Sequence, residues 1–121
     1  MYYTSYFAKI RNLNNKENYK FAAITSSKPA FCDSLFLDWS FLGPSKELLK
    51  GYKAGNISEE QYTKIYLENL NNIWLDIENF ITNNKDKNIV LLCYEGPGKF
   101  CHRHLLREFL INKNIACEEL K

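Results

Sequence analysis

No apolar run in this chain approaches membrane-spanning length, so no bilayer helix is expected. The first residues lack a basic segment followed by a signal-like apolar stretch, and a cytoplasmic location is the expectation. Neither charge sign is in excess. Lys and Arg number 16 against 14 Asp and Glu, a net charge of +2, and the two signs interleave along the chain. That balance describes a solvated mixed surface and gives no nucleic-acid signature. No internal repeat, domain linker or low-complexity tail is visible. The 121 residues are therefore expected to form a single compact domain, 1–121, around one core. Oligomeric state is not legible.

Cysteine is sparse rather than absent. The four are Cys32, Cys93, Cys101 and Cys117. The chain is neither short nor Cys-dense, which favours reduced thiols over a disulfide framework. Cys32 and Cys117 read as structural thiols, since free cysteine is commonly buried. The Cys-x-x-Cys redox motif does not occur.

What is present is a strand, a tight loop and a helix in immediate succession. Asn88–Phe109 reads NIVLLCYEGPGKFCHRHLLREF. The apolar Ile89–Leu92 leads into Cys93, Tyr94 and Glu95, Gly96-Pro97-Gly98 breaks the chain, and Cys101-His102-Arg103 opens an amphipathic segment. Reactive side chains thus gather at a strand's C-terminal end and a helix's N-terminal end. In open α/β sheets that is where ligands bind. Helix-start amides there favour an anion.

Further strands are expected near Tyr2–Phe7, Phe21–Thr25 and Ile115–Glu118, besides Ile89–Cys93. Pro44-Ser45 opens a helix to about Tyr52, and Ser58-Glu59-Glu60-Gln61 fits a capping box. An apolar stripe then predicts one long helix over Glu59–Ile81, with Leu70, Ile73, Trp74 and Ile77 on the sheet. The last helix spans about Cys101 to Asn112. Arg11–Lys20 reads as a loop or a poor helix, and the aromatic segment Phe31–Gly43 has no clean period, although Asp33, Asp38 and Trp39 could belong to a folded loop over the sheet. Crossover helices between strands predict a three-layer α/β domain with a mainly parallel sheet.

Each of these residues carries a functional and a structural reading. Cys93 is a nucleophile or a buried space-filling thiol. Cys101, at the first helical turn, is a reactive thiolate or a packing residue; helix amides and nearby cations lower a thiol pKa. His102 is an acid, a base or a structural donor. Arg103 is an anion clamp, or an ion-pair partner of Glu95 or Asp38. Glu95 is a general base, a nucleophile or a loop cap.

Familiar motifs fail on spacing. A cysteine phosphatase loop, Cys-x-x-x-x-x-Arg, meets Lys99 where Arg is needed. A Walker A loop needs Ser or Thr after its Lys, and Phe100 follows Lys99. Cys93, Cys101, His102 and His104 could ligate zinc, but adjacent Cys-His pairs reach one ion poorly. No metal and no cofactor is expected.

LLCYEGPGKFCHRHLLREFL (Leu91–Leu110) resembles the signature of the family catalogued as domain of unknown function 488. That pattern is an apolar strand ending in Cys, an acidic residue soon after, and Cys-His-Arg opening a helix. Cys93, Glu95, Cys101, His102 and Arg103 match it. TSYFAKI (Thr4–Ile10) and AAITSSKP (Ala22–Pro29) resemble the first two strands of one branch, and Tyr62 and Tyr66 fit more loosely. Other members often carry Arg-Gly-like residues where this chain has Ser26-Ser27-Lys28. The resemblance implies a compact α/β domain with its site at the sheet's C-terminal edge.

The expectation is a cleft formed by Cys93, Glu95, Cys101, His102 and Arg103, with Ser5, Tyr6 and Ser26 lining it from neighbouring strand ends. Two functions remain open. One is a small enzyme acting on an anionic, nucleotide- or sugar-phosphate-like ligand, held by Arg103. The other is a non-catalytic ligand-binding, thiol redox or metal sensor module.

Overall fold

The computed structural model describes residues 1–11, 13–14, 16–25, 37–96 and 100–120. Five strands form its sheet: β1 (Tyr2–Tyr6), β2 (Lys20–Ala23), β3 (Leu37–Asp38), β4 (Ile89–Cys93) and β5 (Cys117–Glu119). Their order is β3-β2-β4-β1-β5, and every pairing is parallel. The most apolar segment, Ile89–Cys93, takes the central place and is buried along its whole length. A strand covered on both faces needs such a continuous apolar run.

Parity along the strands sorts the two faces. One face carries Tyr2, Ala22, Ile89, Leu91 and Cys93 and packs on Tyr66, Leu70, Ile77, Leu106 and Leu110. Those partners lie on α3 (Glu59–Asn72), α4 (Trp74–Asn83) and α5 (His102–Asn112). The opposite face carries Phe21, Ala23, Val90 and Leu92, covered by Phe7 and Ile10 of the short α1 (Phe7–Ile10) and by Leu120. The result is the three-layer α/β domain with a mainly parallel sheet. Among the described residues no helix is long and apolar enough to cross a membrane.

Several boundaries differ from expectation. The long helix is two helices, α3 and α4, meeting at Ile73, whose φ of −111° and ψ of 18° leave the helical region. No Gly or Pro marks that break, so the apolar stripe runs through it. Trp74 is half-buried and packs edge-on against Phe109 with ring centroids 5.8 Å apart. Strand β2 starts at Lys20 and ends at Ala23, and β5 spans Cys117–Glu119 rather than Ile115–Glu118. The first strand stops at Tyr6, where α1 begins. Residues Lys16–Asn18, within the segment expected as a loop or a poor helix, form a 3₁₀ turn. The aromatic segment, where described, contributes β3 and a 3₁₀ turn at Ser40–Leu42.

Local capping follows the sequence. Ser45 accepts from the Leu48 amide to start α2 (Lys46–Lys53). Ser58 and Gln61 form the complete capping box of α3.

Candidate active site

Cys93 ends β4 and Cys101 is the N-cap residue of α5, so strand and helix aim both sulfurs into one space. The sulfur atoms meet, with their Cα atoms 7.6 Å apart. Relaxed disulfides hold their Cα atoms about 4.4–6.8 Å apart. The sulfurs thus stand within bonding reach on a backbone too widely spaced for a relaxed bridge, and the reduced, two-thiol form is the one that this Cα separation fits. A Glu95 carboxylate oxygen and both sulfurs all lie within 4.8 Å of one another.

Arg103 is fully buried. Its Nη1 donates to Cys93 Sγ at 3.0 Å and to the Glu95 carbonyl. Nε and Nη2 donate to the Glu119 carboxylate at 3.1–3.3 Å. The Tyr6 ring lies 5.4 Å from the guanidinium carbon. Most of the guanidinium's donors are thus engaged inside the protein. Neither acid weighed from the sequence supplies the carboxylate partner. Glu119 supplies it.

His102 is buried, with Nε2 2.9 Å from the Ile24 carbonyl. A carbonyl only accepts, so Nε2 carries the hydrogen and Nδ1 presents a lone pair. That Nδ1 stands 3.9 Å from Cys101 Sγ. Burial lowers the imidazole pKa to about 4, against the smaller opposing effect of the Ile24 hydrogen bond, and keeps the ring neutral near pH 7. The Tyr66 ring braces it edge-on at 5.8 Å. His104 is half-buried, and desolvation with the nearby Arg103 charge lowers its pKa.

A narrow pocket of about 50 Å³ opens beside Cys101, walled by Glu95, His102, Phe100, Tyr52, Tyr62 and Lys53. Burial pushes the Tyr62 phenol well up, with the Glu95 charge adding to it, so its hydroxyl stays protonated.

The other expected residues divide. Tyr6 shares the face of Cys93, opposite it in register. Ser5 pairs with Leu92 and stands on the other face of the sheet, so it does not join the cluster. It is buried, and its hydroxyl has no hydrogen-bond partner among the described residues. Ser26, Lys28, Cys32 and Lys99 lie outside the described residues. Cys117 is buried beside Tyr2 on the inner side of β5, and burial pushes its thiol up to about 12.

Cys93, Glu95 and Cys101 could share a soft metal ion by donor type. The guanidinium on Cys93 opposes a second cation at that sulfur.

An α/β sheet with a Cys/Glu/Cys-His-Arg cluster at a strand–helix junction defines the class. Residues 26–114 match DUF488-N3a, the active DUF488-N3 subclade, and the chain belongs to the DUF488 family. No curated protein and no solved structure matches it.

Proposed function

We propose that this chain is a cysteine-dependent enzyme in which Cys101 attacks an electrophilic carbon of a small ligand. The observation that carries the reading is the pair of touching thiols with Arg103 bonded to one and the His102 lone pair facing the other. Touching thiols titrate as a pair. A guanidinium on one sulfur stabilises the singly deprotonated form, and the α5 N-terminus adds to that field. Cys101 is the sulfur on the pocket wall, so a proton shift within the pair delivers the thiolate where a ligand can enter. Its bond to the carbon expels a leaving group, and Glu95 stands at the pocket to take a proton from the water that releases the product.

The anionic-ligand reading moves away from Arg103, because its donors are committed internally. The first-turn amides of α5 and Lys53 on the pocket wall replace it as the groups that meet an anion. The enclosed space suits the reacting end of a nucleotide- or sugar-phosphate-like molecule rather than the whole of it.

Peptide-resolved alkylation across a pH series tests the proposal. Cys93 or Cys101 should be trapped as a thiolate well below the ordinary thiol value near 8.5. Cys101→Ser should remove any activity found. Both thiols titrating normally would overturn it.

The contact between the sulfurs favours one second reading, a thiol redox module. Mass spectrometry of oxidised and reduced protein separates the two. A Cys93–Cys101 link that forms and breaks under mild thiol buffers, without any turnover, would favour the module.

A further inference from the structure

We infer that Glu119 is a positioning residue for the thiol pair: it sets the rotation of Arg103 and thereby the charge on Cys93. The inference rests on the cysteine-dependent reading above. Glu119 lies on the edge strand β5, paired in register with Thr4 of β1. Parity turns its side chain to the Cys93 face of the sheet. There its two oxygens receive Nε and Nη2 of Arg103, a fork that engages one edge of the planar guanidinium. Thr4 Oγ1 donates to Glu119 Oε1 and fixes the carboxylate in turn. The nitrogen left over is Nη1, and it donates to Cys93 Sγ and to the Glu95 carbonyl.

The geometry is therefore a chain of four side chains from four elements, β1, β5, α5 and β4. Thr4 holds Glu119, Glu119 holds Arg103, and Arg103 holds the sulfur. A lysine at position 103 would be a point charge without this fork. The groups around Cys93 are few. Arg103 and His102 come from the start of α5, Tyr6 from β1, Glu119 from β5, Glu95 and Cys101 from the flanking loop, Tyr62 and Tyr66 from α3 stand beyond Glu95 and His102, and His104 of α5 lies near enough to Arg103 and Glu119 to feel their charges. Arg103 is the only cation that touches the sulfur among the described residues.

Two roles for Glu119 give opposite signs. If it is only a nearby anion, neutralising it strengthens the positive field on Cys93, and the thiol deprotonates more easily. If it positions Arg103, neutralising it frees the guanidinium to turn, and the thiol deprotonates less easily. The test is peptide-resolved alkylation of Cys93 in wild type and Glu119→Gln across pH, with thermal melts to confirm folding. The expected result is about tenfold slower alkylation of Cys93 at pH 6 in the variant, the mark of a pKa raised by one unit. An unchanged or faster rate overturns the inference. If Glu119→Gln does not fold, Thr4→Val decides: it should slow Cys93 alkylation in the same direction, and an unchanged rate overturns the inference. Wild-type Cys93 and Cys101 both titrating like free thiols remove the parent reading, and a free-thiol Cys93 beside a depressed Cys101 removes this inference alone. A depressed wild-type value that ignores both substitutions removes this inference alone.

Discussion

Burial, more than any partner, decides the state of His102. Its folded pKa, about 4, lies below the ordinary 6.5, so the unfolded chain binds the proton more tightly. Stability from this group is complete above pH 6.5 and is lost as the pH falls toward 4. Between pH 7 and pH 5 the loss should be about 2 kcal/mol. Urea unfolding of wild type and His102→Gln at both pH values checks it, since the variant lacks the titration. Equal losses in the two proteins would show that the buried imidazole does not titrate as described. At this scale the sequence was only partly legible. Cys93, Cys101 and Arg103 stand at a strand end and a helix start, and position alone brings them together. Ser5 and Tyr6 are neighbours on one strand, so period-two parity allows only one of them to face Cys93. Glu119 was missed because an acid on an edge strand reads as solvated. Only its pairing with Thr4, a contact across 115 residues of sequence, turns it inward.

Element boundaries followed whichever signal was strongest locally. Strand β4 was read at its true limits because five apolar residues end against a turn. The capping box fixed the start of α3 for the same reason. The break at Ile73 left no signature, since the helical stripe continues through it. Strand β3 has two residues and no alternation to read. Gly43 shows how an element without chemistry of its own supports the site. It follows the Ser40–Leu42 turn, and a Cβ there would collide with the Ile24 carbonyl. That carbonyl is the acceptor for His102 Nε2. Gly43→Ala should therefore cost about 1–3 kcal/mol, the range for overpacking a filled space. It should also shift the His102 ring signals by NMR. Stability within about 0.5 kcal/mol of wild type, with unmoved His102 signals, would mean that the turn does not brace the site.

The layer arrangement ties these elements into one structure. Because β4 sits in the middle of the sheet, its neighbours in sequence face opposite cores: Leu91 toward α3 and α5, Leu92 toward α1. The α1 layer is thin, a four-residue helix with Phe7 and Ile10 inward, yet Leu92 is as completely buried as Leu91. The parallel order also joins distant parts of the chain, since β1 pairs with both β4 and β5. Neither core can form without strands from both ends of the sequence. We therefore propose that residues 1–121 unfold as a single cooperative domain. Leu91→Ala and Leu92→Ala should each cost about 2–5 kcal/mol, as truncations in a filled core do. Both should move the same urea transition, whether followed by tryptophan fluorescence on the α4 side or by far-UV circular dichroism. A Leu92→Ala cost below about 1 kcal/mol would show that the α1 layer does not exclude water from that face. Two separate transitions would show that the cores fold independently and that the domain is not one unit. A single transition shifted by both substitutions is the outcome the strand order requires, because removing either core undoes the central strand that Cys93 terminates.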